Sequence, residues 1–370
     1  GGVGDTYMRV VNENHIFFRH FSSVGNKLLL DEVDFLDFHL SDPECSMVLM
    51  YLESMTRGRA LFELACTSEK PIVVQKSNRT EQSARIAQSH TAALSTSDEV
   101  VDAACRQSAM VRVEGEDELA QAVKILSLPP MRGRRVAILS RSGGHAVISA
   151  DACVRAGFEM VRFSDGLLRR LGEIFDYTAF SKVLETVLAS DELDGVLFNH
   201  LYQASYEAET SRSFLDSVSG LVKRYEKPVS MTLISDGPEI LEIARSHAFP
   251  TFSTPLQAVR ALGISAEHQE RLQARRQRGE PMGFALDQAS WRKAIGGAAA
   301  PLLPACFQAL RAAGLKALPW QVFGESGCAL APEFAGPYAL KLLSTQASHK
   351  SDGGGVALGL ADGEALRRAA

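Results

Sequence analysis

His90 stands between Ser89 and Thr91 in a polar stretch, residues 76–93 (KSNRTEQSARIAQSHTAA), where residue types and spacing could do chemistry. The stretch follows an apolar run, Pro71-Ile72-Val73-Val74, that reads as a buried strand. An imidazole there becomes a nucleophile if one ring nitrogen is held by an acceptor and the other is left free. Glu53, at the end of the apolar run 46–52, is the candidate acceptor. On their own, such residues are also read as a surface histidine and an exposed strand-end acid.

Two glycine turns offer the complementary chemistry. Gly1-Gly2-Val3-Gly4 and Ser142-Gly143-Gly144 each open a segment with helical spacing. Free N–H groups and the helix dipole make such a start a seat for phosphate or carboxylate, and glycine lets the anion approach. Either turn is equally readable as a tight βα connection. Two seats facing one histidine could hold a phosphoimidazole. Further on, Lys341 lies on an apolar strand, 337–343, before the Gly-rich loop Ser348-His349-Lys350-Ser351-Asp352-Gly353-Gly354-Gly355. A lysine beside such a loop could hold nucleotide phosphates; an edge-strand lysine and a hairpin loop is the plainer alternative.

The elements that must position these residues repeat. Strands are expected at 46–52, 72–74 and 110–113, with helices at 58–67, 98–108 and 116–126. After a linker at 128–133, a strand at 135–139, a Gly turn and a helix at 146–156 open a second round. Its 195–198 matches the strand at 48. Lys227-Pro228 matches Lys70-Pro71, 250–253 matches 110–113, and 256–262 matches 119–125. The alternation predicts an α/β fold with two parallel sheets covered on both faces. Only the first round carries the extra residues 77–96 between its Lys-Pro strand and its last strand. Added loop length at the carboxyl end of a parallel strand is where open α/β sheets bind ligands. A charged run follows at 267–280, read as a solvated helix or linker.

Composition sets the frame. The chain has 370 residues, 46% hydrophobic and 22% charged, so several cores can form. A net charge of −5 gives no footprint for nucleic acid. No apolar run reaches membrane-spanning length, and no signal peptide stands at the start. The six cysteines lack CxxC spacing and are expected as core residues of a cytoplasmic protein, with no metal site of their own. The missing initial Met and the end inside a helical pattern, 363–370, are read as marks of a piece of a longer polypeptide.

Together these motifs resemble the NDP-forming acyl-CoA synthetases, relatives of succinyl-CoA synthetase. Arg79-Thr80-Glu81 through Ser89-His90-Thr91-Ala92-Ala93 resembles the family's phosphohistidine segment, and Leu52-Glu53 its orienting strand end. The two Gly turns resemble the paired phosphate-holding helix starts. Lys341 and His349-Lys350-Ser351-Asp352-Gly353-Gly354 resemble the opening of an ATP-grasp domain. The resemblance implies two flavodoxin-like domains (1–127 and 134–265), a charged linker (266–297) and a partial ATP-grasp domain (298–370), without the CoA-binding Rossmann domain. It implies His90, Glu53 and His349 as catalytic residues. Gly1, Gly2, Ser142, Gly143 and Gly144 would bind phosphate, and Lys341 nucleotide. A small carboxylic acid, CoA, ATP/ADP and Mg²⁺ would be substrates and cofactors of a homo-oligomer. Departures are Ala92 and Asn78 for usual glycines, His145 for a small residue, and an altered run at 171–176. A non-catalytic acyl-CoA-sensing region of a protein lysine acetyltransferase is the alternative; the retention of His90 and Glu53 favours the enzyme.

Overall fold

The computed structural model describes residues 2–13, 16–80, 82–83, 97–172, 179–202, 208–234, 238–247, 249–278, 288–296, 302–323, 332–344 and 354–369. The chain divides into two units, Gly1–Arg278 and Gly279–Ala370.

The first unit holds two parallel sheets. In the first, β1 (Val48–Leu52), β2 (Ile72–Lys76) and β3 (Val111–Val113) lie in that order, with Val48 opposite Ile72 and Val73 opposite Val111. Period-two alternation sends side chains to opposite faces. Val48, Met50, Ile72 and Val74 pack with Val33 and Leu36 of α2 (Glu32–Ser41), Leu61 and Ala65 of α3 (Gly58–Thr67), and Val101 and Cys105 of α4 (Asp98–Ser108). Val73, Val111 and Val113 pack on the other face with Tyr7 of α1 (Gly2–Asn12) and Leu119, Ala122 and Val123 of α5 (Glu116–Leu126). The helix α2, absent from the periodicity reading, is nucleated by a capping box between Asp31 and Asp34.

The second sheet runs β5-β4-β6-β7-β8, all parallel. Its strands are β4 (Arg135–Ser140), β5 (Glu159–Met160), β6 (Gly195–Leu201), β7 (Val229–Ile234) and β8 (Thr251–Phe252). This 2-1-3-4-5 order is the flavodoxin-like winding. One face packs on α8 (Phe180–Leu188) and α9 (Ala208–Tyr225), the other on α6 (Gly143–Arg155). The helices α7 (Asp165–Gly172) and α10 (Pro238–Ser246) complete the winding.

The Lys-Pro repeat has a physical cause. Lys70 donates to the carbonyls of Leu40 and Asp42, both at 2.7 Å, and so caps the end of α2. Lys227 does the same for α8, through the carbonyls of Leu188, at 3.0 Å, and Ser190. A cation over the last carbonyls of a helix satisfies orphan acceptors and meets the negative end of the dipole.

The charged run from Glu267, expected as a solvated helix or linker, is helix as far as Gln277. It forms the second half of α11 (Pro255–Gln277). Ala258, Leu262 and Ala266 pack on the second sheet. Past them, His268 is buried with Nδ1 3.0 Å from the carbonyl oxygen of Ala109. Arg275 donates to the carbonyls of Ala65 at 3.1 Å, Ser108 at 3.0 Å and Ser68 at 2.7 Å. One face of the charged run thus covers the first sheet's helices.

The second unit contains α12 (Gln288–Ile295), α13 (Leu303–Ala312), an antiparallel pair of β9 (Tyr338–Lys341) and β10 (Val356–Leu360), and α14 (Gly363–Ala369).

Candidate active site

Glu53 directly follows β1, at the carboxyl end of the first sheet. The turn after it is held in place by ionic and hydrogen bonds. Lys27 donates to the carbonyl of Ser54 at 2.6 Å and pairs with Glu32 at 2.8 Å. The Glu32 carboxylate is buried and accepts from the backbone N–H of Thr56 at 2.8 Å. Arg57 reaches back to Asp31 and Asp34. A buried carboxylate with a lysine partner and a backbone donor is satisfied, so the turn is pinned to the start of α2.

Among the described residues, Tyr51 is hydrogen-bonded to the Glu53 side chain. The Tyr51 hydroxyl donates to its Oε1 at 3.3 Å and accepts from Ser77 Oγ at 3.1 Å. The ring of Tyr51 meets that of Tyr7 edge-on, with centroids 6.4 Å apart, and the Tyr7 hydroxyl donates to Gln75. Burial, with Tyr51 and Glu116 nearby, pushes the Tyr7 hydroxyl above the ordinary tyrosine range. Gly2, Gly4, Tyr7, Lys27, Tyr51 and Glu53 all line one cavity of about 580 Å³, crossed by residues 16–27. The first Gly turn and Glu53 thus line the same cavity. Gly1 lies outside the described residues.

The polar stretch leaves β2 at Ser77, whose N–H donates to the carbonyl of Leu52 at 3.0 Å. Its neck is closed by Arg79, which pairs with Asp98 of α4 at 3.1 Å and with Glu114 at 3.0 Å. Arg112 pairs with the same Asp98. His90 and His349, the expected catalytic histidines, lie outside the described residues.

The second Gly turn belongs to the helix, not before it. Gly143 and Gly144 form the first turn of α6, with Ser142 as N-cap. Ser142 Oγ accepts from the N–H of His145 and lies 2.8 Å from His145 Nδ1, so the unusual histidine helps to hold the cap. A Cβ at Gly2 or Gly143 would meet nothing within 4 Å, and one at Gly144 only Ser142 Oγ at 4.0 Å. Packing within the described residues does not require glycine there. The cavity beside Glu53 is not lined by Ser142, Gly143 or Gly144. Lys341 is the exposed last residue of β9, opposite Val356, at the root of the Gly-rich loop.

One neighbour of Glu53, Lys76, belongs to no motif. Lys76 is buried and donates to the carbonyls of Glu53, at 2.9 Å, and Ser77; burial lowers its pKa. The Lys-Pro alignment sets it against Leu233, a contrast visible in the repeat. Asn78 has φ of 58°, the left-handed region that explains a usual glycine there. Its side chain is buried, and among the described residues neither amide atom has a hydrogen-bond partner. Among the described residues no group of three or more His, Cys, Asp or Glu side chains could hold a metal ion. No helix among them is long and apolar enough to cross a membrane.

Residues 1–126 match the succinyl-CoA ligase like flavodoxin domain, and residues 303–370 match an ATP-grasp domain. The chain is similar in sequence to ADP-forming acetate–CoA ligases. It is 30% identical over 297 residues to acetate–CoA ligase [ADP-forming] II of Archaeoglobus fulgidus, covering 71% of this chain and 42% of that protein. It is 26% identical to the 4-hydroxybutyrate–CoA ligase [ADP-forming] of Nitrosopumilus maritimus, over 93% of this chain and 53% of the relative. The chain thus spans about half the length of the curated relatives it matches. Among solved structures, the acetyl-coenzyme A synthetase 1 of Ca. Korarchaeum cryptofilum in complex with phosphate and ADP shares the fold. Its TM-score is 0.64 at 24% identity, covering 74% of this chain and 64% of that one. The α/β reading with flavodoxin-like parallel sheets and an ATP-grasp portion is thereby established.

Proposed function

We propose that this chain serves an NDP-forming acyl-CoA ligase, converting a carboxylic acid, CoA and ATP to acyl-CoA, ADP and phosphate, reversibly. Residues 1–127 and 134–265 would be its two flavodoxin-like domains and 298–370 its ATP-grasp part. The γ-phosphoryl of ATP passes to an imidazole nitrogen of His90, directly or by way of His349, and ADP leaves. The carboxylate of the acid attacks phosphorus, freeing His90 and giving an acyl phosphate. CoA thiolate attacks the acyl carbon and phosphate departs. Covalent relay divides one hard transfer into easier ones. Glu53 orients the imidazole, the starts of α1 and α6 (Gly1, Gly2, Ser142, Gly143, Gly144) hold phosphate, and Lys341 meets nucleotide. Nucleotide chemistry calls for Mg²⁺, which one or two carboxylates and the substrate phosphates would hold.

The reading is carried by one observation: Glu53, at the carboxyl end of β1, and the glycine-rich start of α1 line one cavity. Assembly as a homo-oligomer in the cytoplasm belongs to the same proposal. The test is incubation with ³²P-labelled ATP and Mg²⁺, and in parallel with labelled acetyl phosphate. An acid-labile, base-stable label that His90→Asn abolishes is the expected result. No such label from either donor would overturn the relay.

A further inference from the structure

The two sheets supply an internal comparison. By the shared Lys-Pro start, β2 and β7 align residue for residue, so that Lys76 corresponds to Leu233. Both are buried, at 4% and 9% exposure. Both stand at the fifth residue of an interior parallel strand, and in register Lys76 is opposite Leu52 as Leu233 is opposite His200. The fold accepts leucine at this position in one sheet. Only the sheet that gives rise to the His90 stretch buries an ammonium there, and burying a charge is costly unless it is well bonded.

The bonds it makes are specific. The Lys76 ammonium donates to the main-chain oxygen of Glu53 at 2.9 Å and to that of Ser77. One carbonyl belongs to Glu53, which lines the cavity; the other is where the polar stretch begins. The same Ser77 reaches Tyr51, which reaches the Glu53 carboxylate. The charges that act on Lys76 are Asp98 and Glu53, of opposite sign, and Arg112 and Lys27, of like sign. No carboxylate among the described residues forms an ion pair with it within 4 Å.

We propose that Lys76 is a positioning residue, a buried cation that clamps the carbonyls of Glu53 and Ser77 and so fixes the angle between the orienting carboxylate and the root of the His90 stretch. This deepens the relay reading and rests on it. Small misplacements of reacting groups cost up to about 10²-fold in rate.

The experiment measures the rate of His90 labelling by acetyl phosphate against pH, for wild type, Lys76→Leu, Lys76→Gln and Lys76→Arg, with thermal unfolding as the fold check. The twin position shows that leucine fits; glutamine keeps donors without charge should leucine fail to fold. Expected are a fall of about 10- to 100-fold in Lys76→Leu, a smaller fall in Lys76→Gln and partial recovery in Lys76→Arg. The acidic limb of the pH profile moves to higher pH in the uncharged variants, since loss of a nearby cation favours protonation. A folded Lys76→Leu or Lys76→Gln that labels at the wild-type rate with the wild-type pH profile overturns the inference alone. Rates that fall only with the folded fraction, profile unmoved, do the same. A wild type that takes no label overturns the relay, and this inference with it.

Discussion

The Tyr51 hydroxyl stands 3.3 Å from a carboxylate oxygen of Glu53 and 3.1 Å from the hydroxyl of Ser77, joining the end of β1 to the root of the polar stretch on β2. A hydrogen bond to a charged acceptor contributes about 1.5–3 kcal/mol, and this long one belongs near the lower limit. Tyr51→Phe is expected to slow His90 labelling about 5- to 10-fold, while shifting the unfolding midpoint by only a few degrees. Label kinetics and a thermal melt on the same sample check both halves.

Asn78 combines a left-handed backbone with a buried amide that has no hydrogen-bond partner among the described residues. Glycine suits that backbone and removes the stranded polar atoms, so Asn78→Gly is expected to be neutral or stabilising by up to about 1 kcal/mol. Asn78→Val, β-branched at positive φ, is expected to cost about 1–3 kcal/mol. Urea unfolding distinguishes the two; a Gly variant less stable than the Val variant would contradict the account.

Burial lowers the pKa of His268 from 6.5 to about 4, because the protonated ring would lose its solvation. The unfolded chain therefore binds a proton that the folded chain refuses between those values. Stability is expected to be full above pH 6.5 and to fall as pH drops toward 4, by an amount on the order of 2–3 kcal/mol. In His268→Gln, urea midpoints measured across that range should lose most of this slope.

Gly143 and Gly144 sit in a helix turn with open space where a side chain would stand. Gly144→Ala is expected to stabilise the free protein by about 0.5–1 kcal/mol through helix propensity alone. If this turn seats an anion, the rise in melting temperature caused by added phosphate should shrink in the same variant. An undiminished phosphate effect would remove α6 from the phosphate site.

Much of the fold was legible because its strands are short apolar runs bounded by Lys-Pro and glycine, and its helices carry clear apolar spacing. The residues 58–67, 98–108 and 116–126 form the expected helices. What escaped was set by tertiary context. The helix α2 depends on a capping box and on contacts that periodicity does not register. The charged half of α11 read as solvated because its buried face is made of His268 and Arg275, whose partners are backbone carbonyls more than a hundred residues away. In the site, Glu53 and the first Gly turn were identifiable by type and position. Tyr51, Lys27 and Lys76 were not, since they act through main-chain oxygens and a hydroxyl that leave no motif.

The reach of α11 limits where the polypeptide can be divided. Its 23 residues begin on the second sheet and finish over the carbonyls of Ala65, Ser68 and Ser108 beneath the first. A break at the connection near Gly133 would leave those acceptors uncapped and the flank of α3 and α4 bare. Cleavage beyond Arg278 keeps the whole helix with both sheets. Gene fission or subunit exchange that preserves the paired sheets must therefore fall on the far side of that helix.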